Sequence, residues 1–371
     1  MIIKMKKFRI KKSTYILFLV VILCYACKNK SNVKSDVNQL TESSELLEKE
    51  ISKNTVDLSL EESNQEQMDK KESDEEVIII KNEDDKKYDD EIIERISNYP
   101  NVDGSTANIP LMAQIMADYT GISLEDAENK ISVSKTDSAW ESLLEIGNTI
   151  DVNNELIIAY EPSKDMKEYI NKSKNKLIIN PIGVDALVFL RNKNNRVKNL
   201  TLENLQNIYA GKILNWKELG GDDIKIEAYQ RVYNSGSQTL FLKKVMKDVK
   251  PVVAKKEYEL REMGGVFTTL SSYDNTANAI GYSVYYYADK MLDYPNLDFF
   301  SVDNVYPTDE TISNGEYPFL NEFYVAIRED AEEDSPARKL YNFILSDEGK
   351  SSLTKASYIP SKNNDRISFI K

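Results

Sequence analysis

Between residues 99 and 360, short apolar runs alternate with segments in which apolar residues recur every third or fourth position. Residues 155–160, 177–182, 185–190, 279–283 and 323–327 are apolar runs of strand length and predict strands. Residues 99–102 and 224–229 predict two more. Leu111, Ile115 and Tyr119 share one helix face, and residues 202–209, 240–246 and 337–345 predict further helices. Ser335-Pro336 opens the last of them. Residues 211–216 read as a turn anchored by Trp216. Strands alternating with helices predict an α/β architecture, with ligands held at the C-terminal ends of strands. No short fixed period repeats along the chain.

The N-terminus follows a different pattern. Lys4, Lys6, Lys7, Arg9, Lys11 and Lys12 precede an apolar stretch over residues 14–23, too short to span a bilayer comfortably and shaped like a secretory signal. It ends in Cys24-Tyr25-Ala26-Cys27. This resembles a bacterial lipoprotein signal, which implies removal of residues 1–26 and lipid on Cys27. Cys24 and Tyr25 depart from the usual pattern of such signals, and an uncleaved signal anchor is the alternative. Residues 27–90 predict a disordered acidic tether. From residue 28 to 90 there are 19 acidic and 10 basic residues, so the segment carries about −9. Such a stretch buries too little apolar surface to offset the entropy of ordering it.

Composition narrows the chemistry. The chain of 371 residues is 41% hydrophobic and has no histidine. If Cys27 is lipidated and Cys24 leaves with the signal, no free thiol remains. Disulfides, Cys/His and Ser-His-Asp catalysis, and histidine or thiolate metal sites are then excluded. The expectation is a binding protein, not an enzyme, with no cofactor and no metal. A formal net charge of −13 argues against nucleic acid as a partner.

Candidate binding chemistry clusters in two places. Arg231 lies four residues before Ser235-Gly236-Ser237, which precedes the predicted helix over 240–246. A guanidinium, two hydroxyls and a glycine at a helix start make a seat for an anion. Asp103-Gly104-Ser105-Thr106 opens the segment carrying Leu111 in the same way. Two such seats far apart in sequence predict an oxyanion held between two lobes. The plainer readings are Ser235 as a helix cap, Arg231 as a surface ion-pair partner, and Ser105 and Thr106 as caps. Tyr282 and Tyr285-Tyr286-Tyr287 read as packing, Trp140 and Trp216 as anchors, and Lys135 as a solvated surface lysine.

These motifs carry a resemblance. Asp103-Gly104-Ser105-Thr106, Asp185-Ala186-Leu187-Val188-Phe189, the block over residues 200–216, Arg231-x-x-x-Ser235-Gly236-Ser237, Ala279-Ile280-Gly281-Tyr282 and Leu345-Ser346-Asp347-Glu348-Gly349 are similar to the phosphate-binding proteins of bacterial ABC importers. The resemblance implies a two-lobed periplasmic-binding-protein-like fold of type II. Lobe 1 would cover 91–188, completed by 322–371, and lobe 2 would cover 189–321. The chain would cross between them near 185–190 and 323–327. It implies that Thr106, Arg231, Ser235, Gly236 and Ser237 contact the ligand, with Ser105 and Thr136 adding hydroxyls. Glu161 stands where the family usually places an aspartate that accepts the phosphate proton; Asp137 and Asp103 are the rivals. A carboxylate there repels unprotonated dianions and so selects phosphate. The implied function is a monomeric receptor, anchored by its N-terminal lipid on the extracytoplasmic face of the cell membrane. It would capture inorganic phosphate for an ABC permease. The alternatives are a receptor for another oxyanion or a small phosphorylated solute, and a ligand-free surface sensor.

Overall fold

The structure, a computed structural model, describes residues 88–144, 154–272, 277–363 and 365–369. The expected signal, the lipidation site Cys27 and nearly all of the acidic tether lie outside them. No helix among the described residues is long and apolar enough to cross a membrane. In chain order, α1 (Asp90–Ser97) leads into β1 (Val102–Gly104), a 3-10 turn over Thr106–Asn108, α2 (Ile109–Thr120), α3 (Leu124–Glu128) and α4 (Thr136–Leu143). Then come β2 (Leu156–Tyr160), α5 (Lys164–Lys172), β3 (Leu177–Asn192), β4 (Asn199–Leu200) and α6 (Leu202–Tyr209). The middle of the chain supplies β5 (Glu227–Ala228), β6 (Gln230–Arg231), α7 (Gly236–Leu240), β7 (Glu259–Leu260), α8 (Met263–Ser271) and β8 (Ala279–Val284). β9 (Leu297–Phe299), β10 (Ser301–Val302), α9 (Asp309–Ser313), β11 (Leu320–Arg328), α10 (Pro336–Leu345), α11 (Asp347–Lys355) and β12 (Ile359–Pro360) complete it.

Helix starts are where the polar spacing puts them. Thr201 and Asn204 form a reciprocal capping box on α6, and Ser163 caps α5 by accepting from the Met166 N–H. Every residue of β2 and β8 is buried, as expected of strands covered on both faces.

One sheet runs through the molecule in the order β1-β2-β11-β3-β8-β5, with β9 and β12 also paired to β3. The two halves of β3 have different neighbours. Residues 177–186 pair antiparallel with β11, whereas residues 187–191 pair antiparallel with β8. β3 is therefore the strand common to two groups: β1, β2, β11 on one side, and β8, β9, β5 on the other.

The sequence predicted two strands here, 177–182 and 185–190, whereas β3 is continuous. A bulge accommodates Pro181 and Gly183. Phe323 pairs with Gly183 and Tyr324 with Pro181, which leaves Ile182 as the extra residue. Gly183 is required, since a Cβ there would lie 2.1 Å from the Phe323 ring.

Other differences are smaller. The predicted strand at 224–229 is ladder-paired only over Glu227–Ala228, and the one at 99–102 begins at Val102. The helix predicted at 240–246 starts at Gly236 and continues as a π-helical turn over Phe241–Met246. α10 is followed by a further helix, α11, that was not anticipated.

At the point where β3 changes neighbours, Asp185 is fully buried. Its carboxylate accepts from Tyr160 Oη at 2.6 Å, from its neighbour's Ala186 N–H at 2.7 Å and from the Tyr286 N–H at 3.1 Å. Burial raises its pKa from 3.8 to about 6, against the lowering effect of these donors. Because the folded-state value lies above the unfolded one, the associated stability is full below about pH 4 and is lost as pH rises through 6. A shift of this size corresponds to about 3 kcal/mol. Urea unfolding from pH 4 to 7 should therefore show Asp185→Asn gaining on the wild type as pH rises. A pH-independent difference would mean that the carboxylate titrates normally.

Candidate functional site

The first seat lies in the β8 group. β6 places Arg231 at 6% exposure, and its backbone N–H donates to Tyr282 Oη and Gln238 Oε1, each at 3.1 Å. Tyr282 in turn donates to Gln238 and stacks on Phe241, with ring centroids 4.5 Å apart and planes within 10°. Tyr209 and Phe189 pack edge-on around that stack, so Arg231 starts from a rigid aromatic backing. Two of the guanidinium nitrogens, Nε and Nη1, are buried and unbonded, and Glu262 is the acid whose charge acts on the group. Burial also depresses its pKa. Ser235 caps α7 by accepting from the Gln238 N–H at 3.2 Å. The N–H groups of Gly236 and Ser237 precede any carbonyl of α7 that could accept them. Ser237 Oγ is buried and unbonded as well.

The second seat is in the β2 group. Ser105 Oγ accepts from the Tyr160 N–H at 3.1 Å and shares a 2.8 Å hydrogen bond with Thr136 Oγ1. Thr136 begins α4 immediately after Lys135, whose φ of 84° is a left-handed value that a side chain rarely tolerates. Thr106 opens the 3-10 turn beside them. Trp140 holds the end of β2 by donating to the Tyr160 carbonyl at 2.9 Å. The two seats meet at Gly236, where a Cβ would stand 2.9 Å from Thr136 Oγ1 and 3.6 Å from Tyr160 Cβ. Only glycine lets α7 come this close.

A cavity of about 790 Å³ lies between the seats. Ser105, Thr106, Thr136, Arg231, Ser235, Gly236 and Ser237 all line it, so seven of the eight predicted residues converge from well-separated segments of the chain. Glu161 is the exception. It is buried but does not line the cavity, and its carboxylate is held by Lys167 and Lys243. Asp103 is also occupied, accepting from Gly104, Ser134 and Asn154.

Of the three acids expected as acceptor, Asp137 lines the cavity, together with Glu141, Asp165 and Glu262. Asp137 Oδ1 accepts from the Ser163 N–H at 2.9 Å, and burial raises its pKa despite the bonds from Ser163. Lys135, expected to be a solvated lysine, lines the cavity as well and pairs with Glu262 at 2.9 Å. Tyr282, Trp140 and Trp216 are packed in the core.

The sequence model of a family described as PBP superfamily domain matches residues 99–348. The chain belongs to the PBP superfamily. Its fold is the two-lobed binding-protein fold, with helices flanking the sheet. Among curated proteins it is similar to the phosphate-binding protein PstS of Borreliella burgdorferi, 26% identical over 271 residues, which cover 70% of this chain and 88% of that one. The protein of the same name from Bacillus subtilis is 25% identical over 268 residues, covering 72% and 82%. Among solved structures, one from Clostridium perfringens is described as a phosphate ABC transporter substrate-binding protein with bound phosphate. It is 26% identical with a TM-score of 0.55, and the match covers 71% of this chain and all of that one. An ABC-type phosphate transport receptor from Vibrio cholerae shares the fold at 21% identity and a TM-score of 0.51, over 70% and 99% of the two chains.

In this binding-protein fold, sequence reasoning missed Gln238 and Tyr282 as the pair that positions Arg231, and Tyr160 and Ser163 as cavity walls. Ser163 was within sight, three residues after Tyr160. The buried, unbonded guanidinium has a measurable consequence. A desolvated charge with unmet hydrogen bonds destabilises the folded protein, so Arg231→Met should raise the melting temperature of ligand-stripped protein, by on the order of 1 kcal/mol in stability or more. A lower melting temperature would show that Arg231 is compensated when the site is empty.

Proposed function

We propose that the chain is an extracytoplasmic receptor that binds inorganic phosphate in the cavity and delivers it to an ABC permease. The observation that carries this reading is the Arg231 guanidinium, buried on the cavity wall with two N–H groups unbonded. Such a group calls for an anion with several acceptor oxygens. Arg231 supplies the charge and Ser237 a hydroxyl. Ser235 and Gly236 bring the start of α7, and Ser105, Thr106 and Thr136 bind from the opposite wall. Asp137, in place of Glu161, accepts the proton that phosphate carries and sulfate lacks. The names of the similar proteins from Borreliella burgdorferi and Bacillus subtilis support this ligand.

The two groups of strands act as lobes that close over the anion, 91–188 completed by 322–371 and 189–321. The exchange of partners along β3 supports that division. Lipid on Cys27 holds the receptor at the membrane surface; that part of the reading rests on the sequence alone.

Calorimetry on the ligand-stripped protein should find one phosphate per chain. Arg231→Ala should weaken binding by about 2–5 kcal/mol, the scale for removing one member of a buried charged pair. No phosphate binding by the wild type would refute the reading. Asp137→Asn should narrow the preference for phosphate over sulfate, chiefly by admitting sulfate; an unchanged ratio would remove Asp137 from the site. One observation favours a second reading, a small phosphorylated solute. The cavity falls in the range of about 300–1,000 Å³ common for organic ligands. Glycerol phosphate binding more tightly than inorganic phosphate would decide for it.

A further inference from the structure

Glu161 presents a contrast with the cavity beside it. It directly follows the cavity-lining Tyr160, its side chain is only 5% exposed, and it does not line that cavity. Lys167, six residues on, bonds one of its oxygens. Lys243 bonds both, at 2.7 Å each. Glu161 and Lys167 belong to the β2 group of the fold. Lys243 sits on the π-helical turn that continues α7, and α7 packs against β6 and β8 in the other group. Lys244 and Glu322 are the further charges that act on this cluster.

We propose that Glu161 and Lys243 form a clasp that joins the two halves behind the anion site, positioning α7 without touching the ligand. The proposal rests on the reading of the protein as a receptor whose halves close. The carboxylate is desolvated, so breaking its bond to Lys243 leaves a buried charge with a single partner, which exposed pairs do not face. The Lys135–Glu262 pair also joins the halves, yet its side chains are 58% and 70% exposed, and it contributes far less. Because Lys243 and the anion-facing residues Gly236 and Ser237 lie on one continuous helical run, docking Lys243 on Glu161 directs the start of that run toward Thr136. The clasp should therefore slow ligand release rather than capture.

The test uses the full chain with Lys243→Gln, Glu161→Gln, the double variant and Lys243→Arg, measuring phosphate association and release by stopped flow. Each single glutamine variant should raise the release rate roughly 5- to 30-fold, the effect of 1–2 kcal/mol, with little change in association. The double variant should be no faster than the worse single one, and Lys243→Arg should stay near wild type. Unchanged release in both single variants would overturn the clasp. So would loss of binding in Glu161→Gln alone, which would return Glu161 to the ligand.

A second readout does not depend on phosphate. Amide exchange over Gly236–Leu240 in the ligand-free protein should quicken in Lys243→Gln. If the wild type binds no phosphate, the receptor reading fails while exchange still judges the clasp; unchanged exchange would overturn it.

Discussion

A buried guanidinium with two nitrogens unbonded is the constraint around which the rest of the site is arranged. Among the described residues, Arg231 makes no ion pair. Glu262, the acid whose charge acts on it, is paired with Lys135, and Asp137 accepts from the Ser163 N–H. A fold does not bury a charge this way by accident of packing, because hydrophobic replacements of similar volume cost less. The backing of Tyr282, Gln238 and Phe241 fixes the Arg231 backbone so that its unmet hydrogen bonds open onto the cavity. On the reading proposed above, these unmet hydrogen bonds are the ones an anion would satisfy.

Tyr160 shows how that site is tied to the rest of the sheet. Its backbone N–H reaches Ser105, its carbonyl takes the Trp140 indole, and its hydroxyl reaches Asp185. Asp185 also accepts from the Tyr286 backbone just beyond β8, so one residue at the end of β2 is two hydrogen bonds away from the opposite group of strands. The change of partners in β3 falls beside this cluster. Movement of one group against the other must strain or remake these contacts, which places the mechanical centre of the fold directly behind the anion seat.

Much of this was legible in the sequence, for reasons that separate the successes from the misses. The spacing from Arg231 through Ser235-Gly236-Ser237 is local: a short strand, a turn and a helix start determine it, and all four residues arrive where expected. Ser105 and Thr106 were legible for the same reason, whereas Thr136 came only from the family resemblance. The continuity of β3 was not, because the bulge that absorbs Pro181 and Gly183 depends on Phe323, about 140 residues away. The long-range pairing of Gln238 with Tyr282 leaves no trace in local spacing either. Glu161 is a different case, since strand parity settles it once Tyr160 is seen to line the cavity. Successive side chains leave a strand on opposite faces, so a cavity-facing Tyr160 turns Glu161 away from the ligand.

That parity divides two roles between two carboxylates. Glu161, neutralised by Lys167 and Lys243, has little charge left with which to discriminate among anions. Asp137 takes its hydrogen bonds from the uncharged Ser163; on the reading proposed above, a proton-bearing oxyanion would donate to it and a bare dianion would be repelled. A single carboxylate serving both as acceptor and as tie between the halves would couple selectivity to closure. With the roles on separate residues of neighbouring elements, the hold between the halves can change without altering which anion is preferred.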